Sequence, residues 1–242
     1  MELTPVLRSE WLKIRTLRSL PGALLALFAA TTAFSAIAGV SETSDPGFDA
    51  LFTSLSGVIP GQIAAVAFGA MAVSAEFQSG ALRLSLAAVP QRGRWFAAKA
   101  AVIAVPVLLV GLVTALAALM VGRAGLGSAA DGLGVGEQVR AVVGCGFYLM
   151  LMALFAAGLA ALLRSGVATL SLLIPFILVV GFVIGDATGT VADFLPDKAG
   201  QLVLRETYEG SSLGPWSGLV VTALWTGAAL LAGAWSVRRR DA

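Results

Sequence analysis

Six stretches of this chain contain no Asp, Glu, Lys or Arg: 19–41, 50–75, 100–122, 141–163, 165–185 and 210–237. They run from 21 to 28 residues. A helix needs about 20 apolar residues to cross a hydrocarbon layer of about 30 Å, so each run suffices for one crossing and none for two. Backbone groups in lipid must be satisfied within their own segment, which makes these runs helices. Spans are expected near 21–40, 57–76, 98–121, 140–162, 167–185 and 215–236. No polar, amphipathic helices remain that would cover six buried core helices in a soluble protein. Composition agrees: 12% of residues are charged, about half the share in an ordinary soluble domain, and mean hydropathy is +0.90. The expected fold is all-α and integral to the membrane, a single transmembrane domain over 1–242.

Six crossings put both termini on one side. That side then carries twelve of the sixteen Lys and Arg residues and four of the fourteen acidic ones. The basic excess marks it as cytoplasmic. The first run is longer than the 7–15 residues of a signal-peptide core, so span 1 is expected to stay uncleaved. Before it, residues 1–20 have helical spacing. Leu3, Leu7, Trp11 and Ile14 share one face, and Arg8, Arg15, Thr16 and Ser19 lie largely opposite. This describes an amphipathic interfacial helix, with Trp11, Lys13, Arg15 and Arg18 at headgroup level. Pro21-Gly22 offers a bend into span 1.

Between spans 2 and 3 lies AEFQSGALRLSLAAVPQRGRWFAAKA, residues 75–100, with one Glu, three Arg and one Lys. A plain connection needs only a few residues. Its Arg residues suit anionic headgroups or a soluble partner. On the outer side, 41–56 is short and acidic, 122–139 is Gly-rich, and 186–214 mixes apolar residues with charges, which suggests short helices lying on the outer surface.

Several chemistries are excluded. The chain has no His and one Cys, Cys145, so imidazole catalysis, a disulfide and the usual zinc sites are out, and no catalytic or metal-binding residues are expected. The runs hold no fixed charge, which disfavours proton relays. The three lysines, Lys13, Lys99 and Lys198, follow no G-x-x-x-x-G-K-[ST] pattern, so the chain has no P-loop for ATP. Nothing suggests nucleic acid as a partner. Gly57/Gly61, Gly181/Gly185 and Gly214/Gly218 have the spacing of close helix contacts. Pro106 and Pro175 fall inside spans 3 and 5, where they are candidate hinges.

Taken together, the SEWLKIRTLRS segment, six spans, the SAEFQSGALRLSLAAVPQRGRWFAAK hairpin and the FLPDKAGQLVL stretch before the last span resemble the permease subunits of bacterial type-2 ATP-binding-cassette (ABC) exporters. The resemblance covers essentially the whole chain. Its most specific part is the hairpin: Glu76, Phe77, Gly80, Leu82, Arg83, Pro90, Arg92 and Lys99 match, whereas Gln78 and Ala81 stand where Arg and Thr are usual.

The resemblance implies a multi-pass protein of the bacterial plasma membrane whose cytoplasmic hairpin, 77–97, rests in a groove of a separate ATPase. Glu76, Gly80, Arg83, Arg92 and Arg94 would then transmit its motion. Two permease chains and two ATPases would enclose a path for an amphiphilic, lipid-like, peptide or drug substrate. ATP and Mg would bind only through the ATPase. The rival expectation is a non-transporting sensor or immunity module that binds a ligand in the bilayer and needs no ATPase.

Overall fold

The computed structural model describes residues 3–40, 48–78, 80, 91–180, 193–207 and 211–239. Among them it is all-helical. Five helices are long and apolar enough to cross a membrane: α2 (Ser19–Gly39), α4 (Val58–Gln78), α5 (Arg92–Leu126), α6 (Val135–Leu163) and α9 (Pro215–Arg239). Four shorter ones accompany them: α1 (Leu3–Thr16), α3 (Ala50–Ser54), α7 (Gly166–Pro175) and α8 (Pro196–Gln201). Each long helix coincides with one uncharged run.

Helix α6 is the centre, packing against α4, α5 and α9. Two thirds of its most apolar stretch is buried, against 28% for α2 and 33% for α9, so the latter two turn most of their surface outward. Small residues make the close packing possible. A Cβ on Gly69 of α4 would strike the Ala153 backbone carbonyl of α6, and one on Gly158 of α6 would lie 2.6 Å from the Ala229 backbone of α9. Gly57 and Gly61 both sit against Thr31 of α2, so their spacing does mark a helix contact. Gly218 sits against Ala199, and Gly181 and Gly185 lie outside the described residues.

Contacts sort the helix ends into two groups. At one end, here the basal end, Lys99 near the start of α5 meets Glu76 near the end of α4 and Glu10 of α1. Arg92 reaches the last turn of α9. Arg164, just past α6, lies over the Phe77 ring, and Gly166 at the start of α7 sits against Ser74. At the distal end, Gly39 closes on Gly122, and Asp49 caps α3 through the Phe52 amide while accepting from the Glu206 amide. The described starts and ends of the chain, α1 and the last turn of α9, therefore share the basal end.

Several expectations are revised. The bend before α2 falls at Leu17–Arg18; Pro21 is instead in the first turn of α2, where a missing N–H costs nothing. Helix α5 starts at Arg92 and α4 ends at Gln78, so the connection between them is shorter than 77–97 and its last residues are helical. Pro106, as expected, lies inside a long helix, buried within α5. Pro175 ends α7 and a π-helical turn, Phe176–Val180, follows, so in the described residues the fifth run is shorter than a crossing. Of segment 186–214, residues 186–192 and 208–210 lie outside the described residues; the described part does form short helices over 196–204, but these are sunk into the bundle and do not lie on its surface. Pro196, Asp197, Ala199 and Leu202–Leu204 are buried: Gly144 leaves room for Val203, Gly218 for Ala199, and Gly200 lets α8 lie against Tyr148.

Candidate functional site

At the basal end two lysines and two glutamates form a closed node. Lys13 Nζ lies 2.7 Å from Glu10 and 2.9 Å from Glu76. Lys99 Nζ lies 2.7 Å from Glu10 and 2.8 Å from Glu76. Glu10, Glu76 and Lys99 are almost wholly buried, and Lys13 is half-buried. Each carboxylate is bridged by both ammonium groups. The node is formally neutral, which is how four charges can leave water together. Burial disfavours the Lys13 cation, but hydrogen bonds and charge attraction from Glu10 and Glu76 outweigh it and raise its pKa.

The local sequence explains the assembly. Glu10 and Lys13 are one helical turn apart, so a single face of α1 presents both. That face, not the purely apolar one, is turned inward: Glu10 and Ile14 are buried, while Leu7 and Trp11 are more than a third exposed. Glu76 comes from the last turn of α4 and Lys99 from the third turn of α5. Below them Trp95 and Phe96 are buried, their ring centroids 6.4 Å apart. The node thus ties α1 to both helices that flank the 79–91 connection.

Around it the other expected residues take distinct positions. Gly80 has φ +68°, a left-handed conformation that Gly adopts without strain, and a Cβ there would meet nothing within 4 Å. Arg92 donates to the carbonyls of Val237 and Arg238 at 2.9 and 3.2 Å, a cation closing the C-terminus of α9. Arg94 is exposed on the rim of a groove of about 490 Å³, lined also by Gln91, Gly93 and Arg238. Arg15 and Arg18 are exposed on and after α1. Arg83 lies outside the described residues. The structure therefore joins Glu76 to Lys13, and it separates Arg92 and Arg94 from that pair.

Glu10 and Lys99 are the node residues the sequence reading did not single out as site residues. The available signal was their position. Glu76 and Lys99 each stand alone at the edge of an apolar run, and Glu10–Lys13 has helical ion-pair spacing.

A second polar cluster lies toward the distal end. Tyr148 donates to the Gln62 side-chain carbonyl, and Gln201 Nε2 reaches the Tyr148 hydroxyl at 3.4 Å. Thr222 donates to the Pro196 carbonyl at 2.8 Å, and Trp225 to the Phe194 carbonyl at 3.0 Å, which fastens α8 to α9. Asp197 is buried beside them, and loss of hydration raises its pKa. Among the described residues no group of three His, Cys, Asp or Glu side chains is placed to hold a metal ion. Neither cluster pairs a nucleophile with a base, and the chemistry available at the node is charge pairing between α1, α4 and α5. No protein-family model matches the chain, and no curated protein matches its sequence.

Proposed function

We propose that this chain is the membrane-spanning permease subunit of a type-2 ABC exporter of the bacterial plasma membrane. A separate cytoplasmic ATPase, in two copies, binds ATP and Mg. A second permease chain completes the path. The substrate class is amphiphilic: a lipid, hydrophobic peptide or drug.

The observation that carries this reading is the node. It links α1 to the end of α4 and the beginning of α5, the two helices joined by the Arg-bearing connection. A push on that connection passes to both helices and to α1 as one body, because moving any one alone strands buried charge. Rigid-body rocking of helix pairs then opens an outward path.

Two further features support it. The start of α7 is basal and α8 packs against the distal part of α9, which is consistent with the six spans that the reading requires. The basal end also holds Arg8, Arg15, Arg18, Arg92, Arg94, Arg164, Arg238 and Arg239, in keeping with a cytoplasmic face.

The test is purification of the tagged chain from its native cells in mild detergent. The reading expects a P-loop ATPase to be retained, and its hydrolysis to respond to the permease. Movement of lipid or solute by the chain alone, without nucleotide, would contradict it.

A further inference from the structure

Helices α1 and α5 leave a groove of about 430 Å³ between them, lined by Leu7, Arg8, Trp11, Ala101, Val102 and Val105. Its walls are apolar apart from Arg8. Leu7, Trp11 and Val105 are 36%, 39% and 53% exposed, so the groove is open to whatever surrounds the bundle. Among the described residues the four ion pairs all belong to the node, and Arg8, Arg15 and Arg18 are in none of them. Lys13, on the same helix, is already engaged there. A cation at the mouth of an apolar slot is complementary to an anionic amphiphile. A small soluble anion would leave the slot unused, and a neutral apolar molecule would leave Arg8 unused.

From this charge and shape we propose that the α1–α5 groove binds one anionic phospholipid, its phosphate on Arg8 and an acyl chain along Leu7, Trp11, Ala101, Val102 and Val105. The proposal rests on the membrane-crossing reading of α5 and not on the transport reading. The groove begins two residues beyond Lys99, so Arg8, Trp11 and the node lie at one level of the bundle, where the membrane-crossing reading expects the headgroups. A lipid seated there presses α1 onto α5 beside the node.

The experiment is native mass spectrometry of the full chain, released from detergent after incubation with equal amounts of phosphatidylglycerol and phosphatidylethanolamine of identical chains. The expected result is retention of the anionic lipid in about fivefold preference, the ratio for one basic residue at an anionic surface. Arg8→Gln brings the ratio close to one, and Arg8→Lys keeps most of it. Ala101→Trp fills the slot and lowers retention of both lipids. Arg15→Gln, outside the groove, leaves the ratio unchanged. Equal retention of the two lipids by the unaltered chain would overturn the proposal. So would equal losses from Arg8→Gln and Arg15→Gln, the mark of diffuse surface charge.

Discussion

Lys99 of α5 donates to Glu10 of α1 at 2.7 Å across 89 positions of sequence, with both side chains almost wholly buried. The pair fixes an otherwise peripheral helix to the bundle. It also makes each partner dependent on the other, because a buried charge without its counter-ion is among the costliest single defects.

Lys99→Met is therefore expected to destabilise the folded chain by about 3–5 kcal/mol, since it leaves two buried carboxylates facing Lys13 alone. Glu10→Leu alone should cost a similar amount. The double variant should lose well under the sum, because it removes a positive and a negative charge together. Thermal unfolding of the three variants in detergent measures this; strictly additive losses would show that Glu10 and Lys99 do not act as a pair.

Gly80 makes a different prediction, because its constraint is backbone conformation and not space. Gly80→Ala should cost about 1–2 kcal/mol, the price of a left-handed L-residue. Gly80→Asn should be milder, and Gly80→Val worse. Melting temperatures in the order Asn, Ala, Val, from highest to lowest, would fit. A Val variant as stable as the parent would remove the conformational argument.

Packing of the central helix gives a matched pair. A Cβ at Gly69 meets the Ala153 carbonyl, a backbone atom that cannot yield without moving α6, so Gly69→Ala should cost about 1–3 kcal/mol. Gly227, within α9, has nothing within 4 Å of the same added atom, and Gly227→Ala should stabilise by about 0.5–1 kcal/mol through helix propensity. Unfolding midpoints of both variants against the parent check the signs.

Asp197 sets a pH dependence. Burial raises its pKa above the usual carboxylate value, so the folded state holds this proton more tightly than the unfolded one. Its contribution is most favourable below the unfolded pKa, near 3.8, and is lost as pH rises through the folded value. Asp197→Asn, which cannot ionise, should therefore stabilise the docking of α8 at pH 7 and confer less advantage at pH 4. Hydrogen exchange of the 197–204 amides at the two pH values reads this directly. A greater advantage at acid pH would reverse the sign and refute it.

Much of this architecture was legible in the chain because lipid-length runs without charge have few alternatives. All five long helices sit on such runs, and Asn- or Ser-type caps were hardly needed to find them. The orientation of α1 was not legible. Its amphipathic spacing was plain, but not which face packs on the bundle: Glu10 is buried because Lys99, far away in sequence, supplies its counter-charge. The depth of α8 was hidden for a similar reason. Asp197 and Pro196 look like surface residues until Gly144 and Gly218, from two other stretches, are seen to make room for Val203 and Ala199, and Gly200 of α8 itself to let the helix lie against Tyr148. Pro175 did mark a break, but the π turn after it depends on the local chain path beyond the proline.

The central claim is that the basal end, with the node and the 79–91 connection, faces the cell interior. Cys145 is fully buried, so a single introduced cysteine reports its own location. In intact cells a membrane-impermeant maleimide should fail to label Ser85→Cys and should label Ser128→Cys at the distal end; after lysis both should react. Labelling of Ser85→Cys from outside intact cells, with Ser128→Cys protected, would contradict the account.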